Sequence, residues 1–467
     1  MDFLKQLALP QAVEHFHLLL LVGGLIAVVF LPYLAFLLGA SFLSFRYNRT
    51  GRTEGNRLHL QFAKDLIDTV LFNKTVPTFL ALLPGLSLVF VTAQLLQSTE
   101  AISVGLVGYA FILLLVAVVL LYTYKYTFRL SDFLDGYEVL LKGDQKGERK
   151  LGEVEDYKKQ TIASHLKAGR YGIILLALAA FLVVSSMAVT TNPMNWTAVS
   201  TIFELFISLD VLVRVLQFVA FALGVTGIGI LFFFFAWQGG KKGMDEEYSR
   251  FVRRIGLRLA VTSLLTQPIL ILLGIALLPG VALSGSLYLF TGSSLAMMFL
   301  AAHFVYVYSR DPLPRYVEPA FYGLVFASVL LSVNDQLAIH NATKTHAAFL
   351  AYRHEQTLET IKASLGIAAL SMTGEDIFNA RCSACHLFDQ KKVGPAYRDV
   401  IPKYAGKKAQ LVAFVLNPAK VDPAFPPMPN QGLRPAEADS IASYLLGKLA
   451  EAGSKLPIPS QGKTQRQ

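Results

Sequence analysis

Charge and cysteine are what this 467-residue sequence has least of: 16% of its residues are charged and two are cysteine. With so little charge, 54% hydrophobic residues and a mean hydropathy of +0.49, the chain is too apolar to be a soluble protein of its size. With so few cysteines, a C-x-x-C zinc site would need two further ligands close by, and a thioredoxin-like motif would need a surrounding βαβ pattern; the sequence offers neither. Lys and Arg are missing altogether from three short segments, 97–100, 191–201 and 279–286. The first apolar run is too long for a cleavable signal peptide and has no basic leader, so none is expected.

Long apolar runs are what the sequence has instead. They recur at about 16–45, 76–97, 101–123, 170–190, 205–236, 256–280, 284–308 and 317–333, each near or above bilayer-spanning length. Eight spans are therefore expected. The alternate loops, 46–75, 124–170, 237–258 and 309–315, carry the basic residues, among them Arg46, Arg49, Arg52, Lys64, Lys150, Lys158, Lys159, Lys241, Lys242, Arg253 and Arg254. By the positive-inside rule these loops are cytoplasmic, which places both termini outside. The net charge of +10 is then largely topogenic, drawn to anionic lipid, and calls for no nucleic acid.

Both cysteines fall in one pentad, Cys382-Ser383-Ala384-Cys385-His386. C-x-x-C-H is the attachment signature of a c-type haem: two thiols one turn apart add across the vinyl groups, and the adjacent histidine ligates iron. Thr373, with Asp376 at capping-box spacing, reads as the start of a helix that runs into the cysteines. Downstream come Gly394-Pro395 and the stiff segment Pro426-Pro427-Met428-Pro429. Met428, the one methionine after the pentad, is the natural sixth ligand, a packing methionine being the alternative. An amphipathic helix from Ala436 to Leu449 carries Ile441, Tyr444, Leu445 and Leu449 on one face. Residues 373–449 thus resemble a class I monohaem cytochrome c, which implies His386/Met428 ligation of a single covalent haem c and, since c-haem is attached after export, an outward-facing domain. Lys391, Lys392, Lys403, Lys407 and Lys408 are either a docking face for an acidic redox partner or plain solvated lysines.

The expected organisation is all-α: a polytopic membrane bundle over 1–333, a periplasmic tether over 334–372, a small cytochrome c domain over 373–450 and a disordered tail over 451–467. His340, His346 and His354 in the tether are exposed histidines or, less simply, haem ligands. Ionisable residues near the outer span ends are the places to look for function in the membrane. They are His15 and His17 at the first span, Glu100 at the third, and Glu204, Asp210 and Arg214 along the fifth. Asp210 and Arg214 lie one turn apart and can pair; alternatively the six groups together line a quinol-oxidising pocket, where an imidazole or carboxylate accepts phenolic protons.

Histidine pairs stacked on two spans, as two haems b would need, are absent, and His303 is the one histidine inside a span. His15-Phe16, Glu100, Asn192-Pro193, Val225-Thr226-Gly227 and Ala236-Trp237 give residues 10–240 a weak resemblance to subunit I of cytochrome bd quinol oxidases. That resemblance implies a high-spin haem on His15 or His17 and a proton and haem environment that includes Glu100. The sequence departs from the family in having an apolar residue near Phe218 where a fifth-span histidine stands, and only a few residues between spans six and seven.

The expected function is electron transfer from a membrane donor, a quinol, through haem c to a periplasmic redox protein, as an oxidoreductase component of a respiratory complex in a bacterial inner membrane. Other subunits are expected partners. The alternatives are a scaffold subunit whose haem c relays electrons from a partner, and a bd-like terminal oxidase carrying haem b.

Overall fold

The computed structural model describes residues 12–141, 148–364 and 372–454. Contacts divide the chain into two units, Met1–Ala348 and Phe349–Gln467. Among the described residues there is no strand.

Among the described residues, eight helices are long and apolar enough to cross a membrane. The chain is a polytopic membrane bundle joined to a small all-α domain. In order, α1 is Val13–Glu54, closed by Gly55 in the left-handed conformation (φ 65°), which a glycine adopts without Cβ strain. Next comes α2, Arg57–Val70, whose N-cap Asn56 accepts from the His59 backbone. Then follow α3 (Thr75–Leu95), α4 (Ser103–Leu141), α5 (Glu148–Thr191) and α6 (Leu209–Leu231). The last three are α7 (Glu246–Ala276), α8 (Gly285–Arg310) and α9 (Val317–Ser364), the first two capped by Asp245 and Ser284.

Small residues let these helices approach closely, as expected where lipid removes the hydrophobic drive for helix association. A Cβ on Gly227 of α6 would lie 2.5 Å from the Ala260 nitrogen of α7, and one on Gly39 of α1 would lie 2.0 Å from the Thr226 hydroxyl oxygen. The segment 46–75, read above as a plain loop, contains α2, which buries Phe62, Ala63, Leu66, Ile67 and Val70. Helix α2 ties three basic loops together at one end of the bundle. Asp65 takes Lys241 (2.9 Å) and the Tyr248 hydroxyl (2.8 Å), and Asp68 takes Lys125 and Arg129, both at 3.3 Å.

The stretch 334–372 does not begin as a tether. Helix α9 continues unbroken through it to Ser364, with Asn334, Ala338, Ile339, Ala342 and Thr343 all buried. Asp335, Asn341 and His346 of this stretch reach Arg214, the Ala282 carbonyl and the Gln97 carbonyl, so polar residues here do not end the helix. Residues 365–371 lie outside the described set.

In the second unit, α10 (374–382) leads to the cysteines, followed by α11 (Tyr397–Val400), α12 (Lys408–Leu416) and α13 (Pro435–Ser454). Helix α13 thus reaches four residues into the expected tail, and 455–467 lie outside the described residues. Its Ile441 and Leu445 are buried against Ile377, Phe378, Leu411 and Val415. At the crossing of α10 and α13 a Cβ on Gly374 would lie 2.4 Å from the Ser440 carbonyl oxygen and 2.5 Å from the Tyr444 Cβ. Only glycine permits that approach.

Candidate functional site

The pentad is positioned by a short capped helix. Thr373 accepts from the Asp376 backbone N–H at 3.2 Å, and Asp376 accepts from the Thr373 backbone N–H at 3.0 Å, a reciprocal capping box. The Thr373 hydroxyl, which donates to the Asp376 carboxylate at 2.7 Å, and the Thr373 backbone N–H together hold that carboxyl below its usual range. The last turn widens to a π-turn over Phe378–Cys382, and then Cys385 and His386 both donate their backbone N–H to the Cys382 carbonyl, at 3.1 and 2.9 Å. That turn brings both thiols and the imidazole to one side.

His386 is oriented from behind. Its Nδ1 lies 3.0 Å from the Pro395 carbonyl oxygen, which can only accept, so Nδ1 carries the proton and Nε2 keeps its lone pair for a metal. The ring stacks on Tyr397 (4.8 Å between centroids, 7° between planes). Gly394 lies against its other atoms: a Cβ there would be 2.2 Å from Cε1. Cys382 is buried and Cys385 half-buried, and both thiols are free. Burial pushes the Cys382 thiol up, against a hydrogen bond from Tyr397, and burial likewise pushes the Tyr397 hydroxyl up.

Across a partly open cavity from these groups stands the segment Pro426–Pro429 with Met428. The segment has no regular structure and is held at its end by Asn430, which donates to the Leu416 carbonyl at 3.2 Å, and by Arg381, which donates to the Gln431 carbonyl at 3.3 Å. Two free thiols one turn apart, an imidazole with its Nε2 lone pair available and a thioether on the facing wall fit a covalently attached haem.

The geometry is that of a small all-α haem-attachment domain. The cytochrome c family model matches residues 371–448. The chain is 37% identical over 89 residues to cytochrome c-552 of Hydrogenobacter thermophilus, covering 18% of this chain and 90% of that protein. It is 39% identical over 79 residues to cytochrome c-551 of Pseudomonas denitrificans, covering 16% of this chain and 95% of that protein. With cytochrome c-551 of Pseudomonas aeruginosa it shares 37% identity over 73 residues, 15% of this chain and 70% of that protein. No solved structure matches the chain. Through its C-terminal domain the chain belongs to the cytochrome c family, which implies a covalently bound haem c and electron transfer through it.

The structure gives the six outer membrane residues different surroundings. Arg214 does not pair with Asp210; it forms a short ion pair with Asp335 of α9. Asp210 instead accepts from the side-chain amides of Asn195 (2.7 Å) and Asn192 (3.4 Å). A neighbour one turn away on the same helix loses to partners on another element that can meet the carboxylate head-on. Glu204 is bound by its own loop: the backbone N–H groups of Thr201 (3.0 Å) and Ser200 (2.6 Å) donate to it and hold its carboxyl below the usual range. A weakened base of this kind is a poor proton acceptor. Glu100 and His15 are exposed. His17, also exposed, has its ring 6.1 Å from that of His340.

Two of the three histidines read as part of a tether meet the bundle. His346 Nε2 lies 2.8 Å from the Gln97 carbonyl and its ring is edge-on to Trp196 at 5.6 Å, while His340 faces His17. Among the described residues no group of three His, Cys, Asp or Glu is arranged to hold a metal ion. The residue missed in the sequence is Asp335, the partner of Arg214.

Proposed function

We propose that the chain is a membrane-anchored electron-transfer protein, with a quinol as its donor, a haem c held by Cys382, Cys385, His386 and Met428 as its carrier, and a periplasmic redox protein as its acceptor. Its haem domain stands on the periplasmic side of a cytoplasmic membrane, and the chain works as a subunit of a respiratory complex. Bound in this site the haem supplies a one-electron iron couple. The observation that carries this reading is the His386 Nδ1 bond to Pro395, which leaves Nε2 for iron beside two free thiols. Cys382 and Cys385 would hold the haem through two thioether bonds, and His386 and Met428 would offer its iron an imidazole and a thioether. Tyr397, Phe378 and Ile441 keep water from the back of the site.

Five lysines were candidates for the acceptor face. Lys408 is engaged by Asp439 at 2.8 Å, Lys392 donates to the Ser383 carbonyl at 3.0 Å and Lys391 lies over the Phe425 ring at 5.9 Å, which leaves Lys403 and Lys407 as the more available charges for steering an acidic partner.

The test is haem staining on denaturing gels with a pyridine haemochrome spectrum, followed by anaerobic addition of decylubiquinol to the full chain. One c-haem per chain, lost when both cysteines become alanine and reduced by the quinol, is the expected result. A c-haem that the quinol reduces only with a partner present would make the bundle a scaffold. A high-spin, CO-binding haem would point instead to a bd-like oxidase.

A further inference from the structure

The membrane unit contains a partly open cavity between α1, α5, α6, α7 and α9. One part of its wall is apolar and aromatic, with Phe218 and Phe221 of α6; another carries the Arg214–Asp335 ion pair, Gln217 and Gln267. Gln267 is 2% exposed, and its Oε1 has no hydrogen-bond partner. A buried amide oxygen left unpaired costs free energy that a ligand hydroxyl can recover. An acyl chain would fill the apolar part and leave Gln267 as it is. A larger polar solute would satisfy Gln267 and waste the aromatic wall.

We infer that this cavity binds the ring of a quinol, with a ring hydroxyl donating to Gln267 Oε1 and the ring body against Phe218 and Phe221. The inference rests on the proposed membrane donor and names its site, which differs from the outer six-residue cluster expected from the sequence. The guanidinium of Arg214, with donors beyond the one given to Asp335, faces the same space for the second ring oxygen. Because an amide oxygen only accepts, the reduced ring, which has hydroxyls to donate, fits Gln267 better than the oxidised ring.

The experiment is equilibrium binding of decylubiquinol and decylubiquinone to the purified full chain in detergent, repeated on Gln267→Leu and Asp335→Asn. Gln267→Leu keeps the side chain's bulk and removes the unpaired oxygen, so the protein should fold with equal or greater thermal stability. Its affinity for the quinol should fall about tenfold, and for the quinone by less. Asp335→Asn, which leaves Arg214 without its anion, should weaken binding of both forms. No binding to the unaltered chain, or unchanged binding in both variants, would leave the cavity to water or lipid and overturn the inference. Quinol that reduces haem c equally in all three proteins would likewise overturn the site while sparing the donor reading. Binding lost in the variants, with haem c never reduced by quinol, would keep the site and remove the donor.

Discussion

Gly394 and Pro395 show how much of the haem site rests on residues that never touch iron. Pro395 contributes only its carbonyl, which sets the His386 tautomer, and Gly394 contributes only the absence of a side chain. An alanine at 394 would put Cβ 2.2 Å from His386 Cε1, closer than atoms can stand, so the imidazole must turn. Gly394→Ala should therefore perturb the proximal bond while leaving both thioethers: denaturing gels should still stain for haem, and the optical spectrum of the native protein should lose low-spin character. On the facing wall, Met428→Ala should lower the haem potential by on the order of 0.1 V, since a thioether favours the ferrous state and axial ligands move potentials over about 0.8 V. A redox titration with an unchanged midpoint would place the sixth ligand elsewhere. The pentad and Met428 were legible in the sequence because each is a short local pattern. The Pro395 bond and the Gly394 contact were not, because both depend on how the loop between 386 and 397 folds back.

At the level of elements, the short helix that presents the cysteines depends on its first turn and on one close crossing. Thr373→Ala removes the hydroxyl that caps Asp376 and should cost about 1 kcal/mol of stability at neutral pH, read from the haem domain's melting in the full chain. Asp376 has its pKa depressed in the fold, so its contribution is fully present above the ordinary carboxylate value and fades as pH falls through the lower, folded value. The gap in melting temperature between Thr373→Ala and the unaltered protein should accordingly narrow in acid. Gly374→Ala should do more damage, about 1–3 kcal/mol, because a methyl group there meets the Ser440 carbonyl and the Tyr444 Cβ of α13. Thr373 and the apolar face of α13 could be read from spacing alone. The end of α9 could not: Asn334, Asp335 and Gln336 break the run of apolar residues, and hydropathy cannot tell a polar residue that ends a span from one that turns inward to an arginine. Helix α2 was hidden for the opposite reason, its apolar positions being spaced for one face and interrupted by charge at Lys64, Asp65 and Asp68.

Over the membrane unit, three loops that the sequence groups by charge are brought together by contact. Lys241 from the loop after α6, Lys125 and Arg129 near the end of the apolar part of α4 (Ser103–Ser131), and Tyr248 at the start of α7 all reach the two aspartates of α2. Loops that share such contacts lie on one side of the bilayer, and this follows without any appeal to the positive-inside rule. The positive-inside rule predicts from their basic residues that this side is cytoplasmic. A reporter active only in the cytoplasm should light up when fused after Lys242 and stay dark when fused after Thr191, which belongs to a connection with no Lys or Arg. If instead both fusions were active, the span between them, α6, would not cross, and the cavity it lines could not lie within a bilayer. If the pattern were reversed, the contacts of α2 would still place the three loops together, but on the outside, and the charge rule would have failed for this chain. Lys125→Ala with Lys241→Ala adds a check on the contacts themselves: Asp68 keeps Arg129 and Asp65 keeps the Tyr248 hydroxyl, but each loses a cation, Lys125 being buried, so the double variant should lower the yield of folded protein. The fusion pattern should survive in whatever protein is made, because topology is set by the charges that remain on the same loops, Arg46, Arg49, Arg52, Lys158 and Lys159 among them.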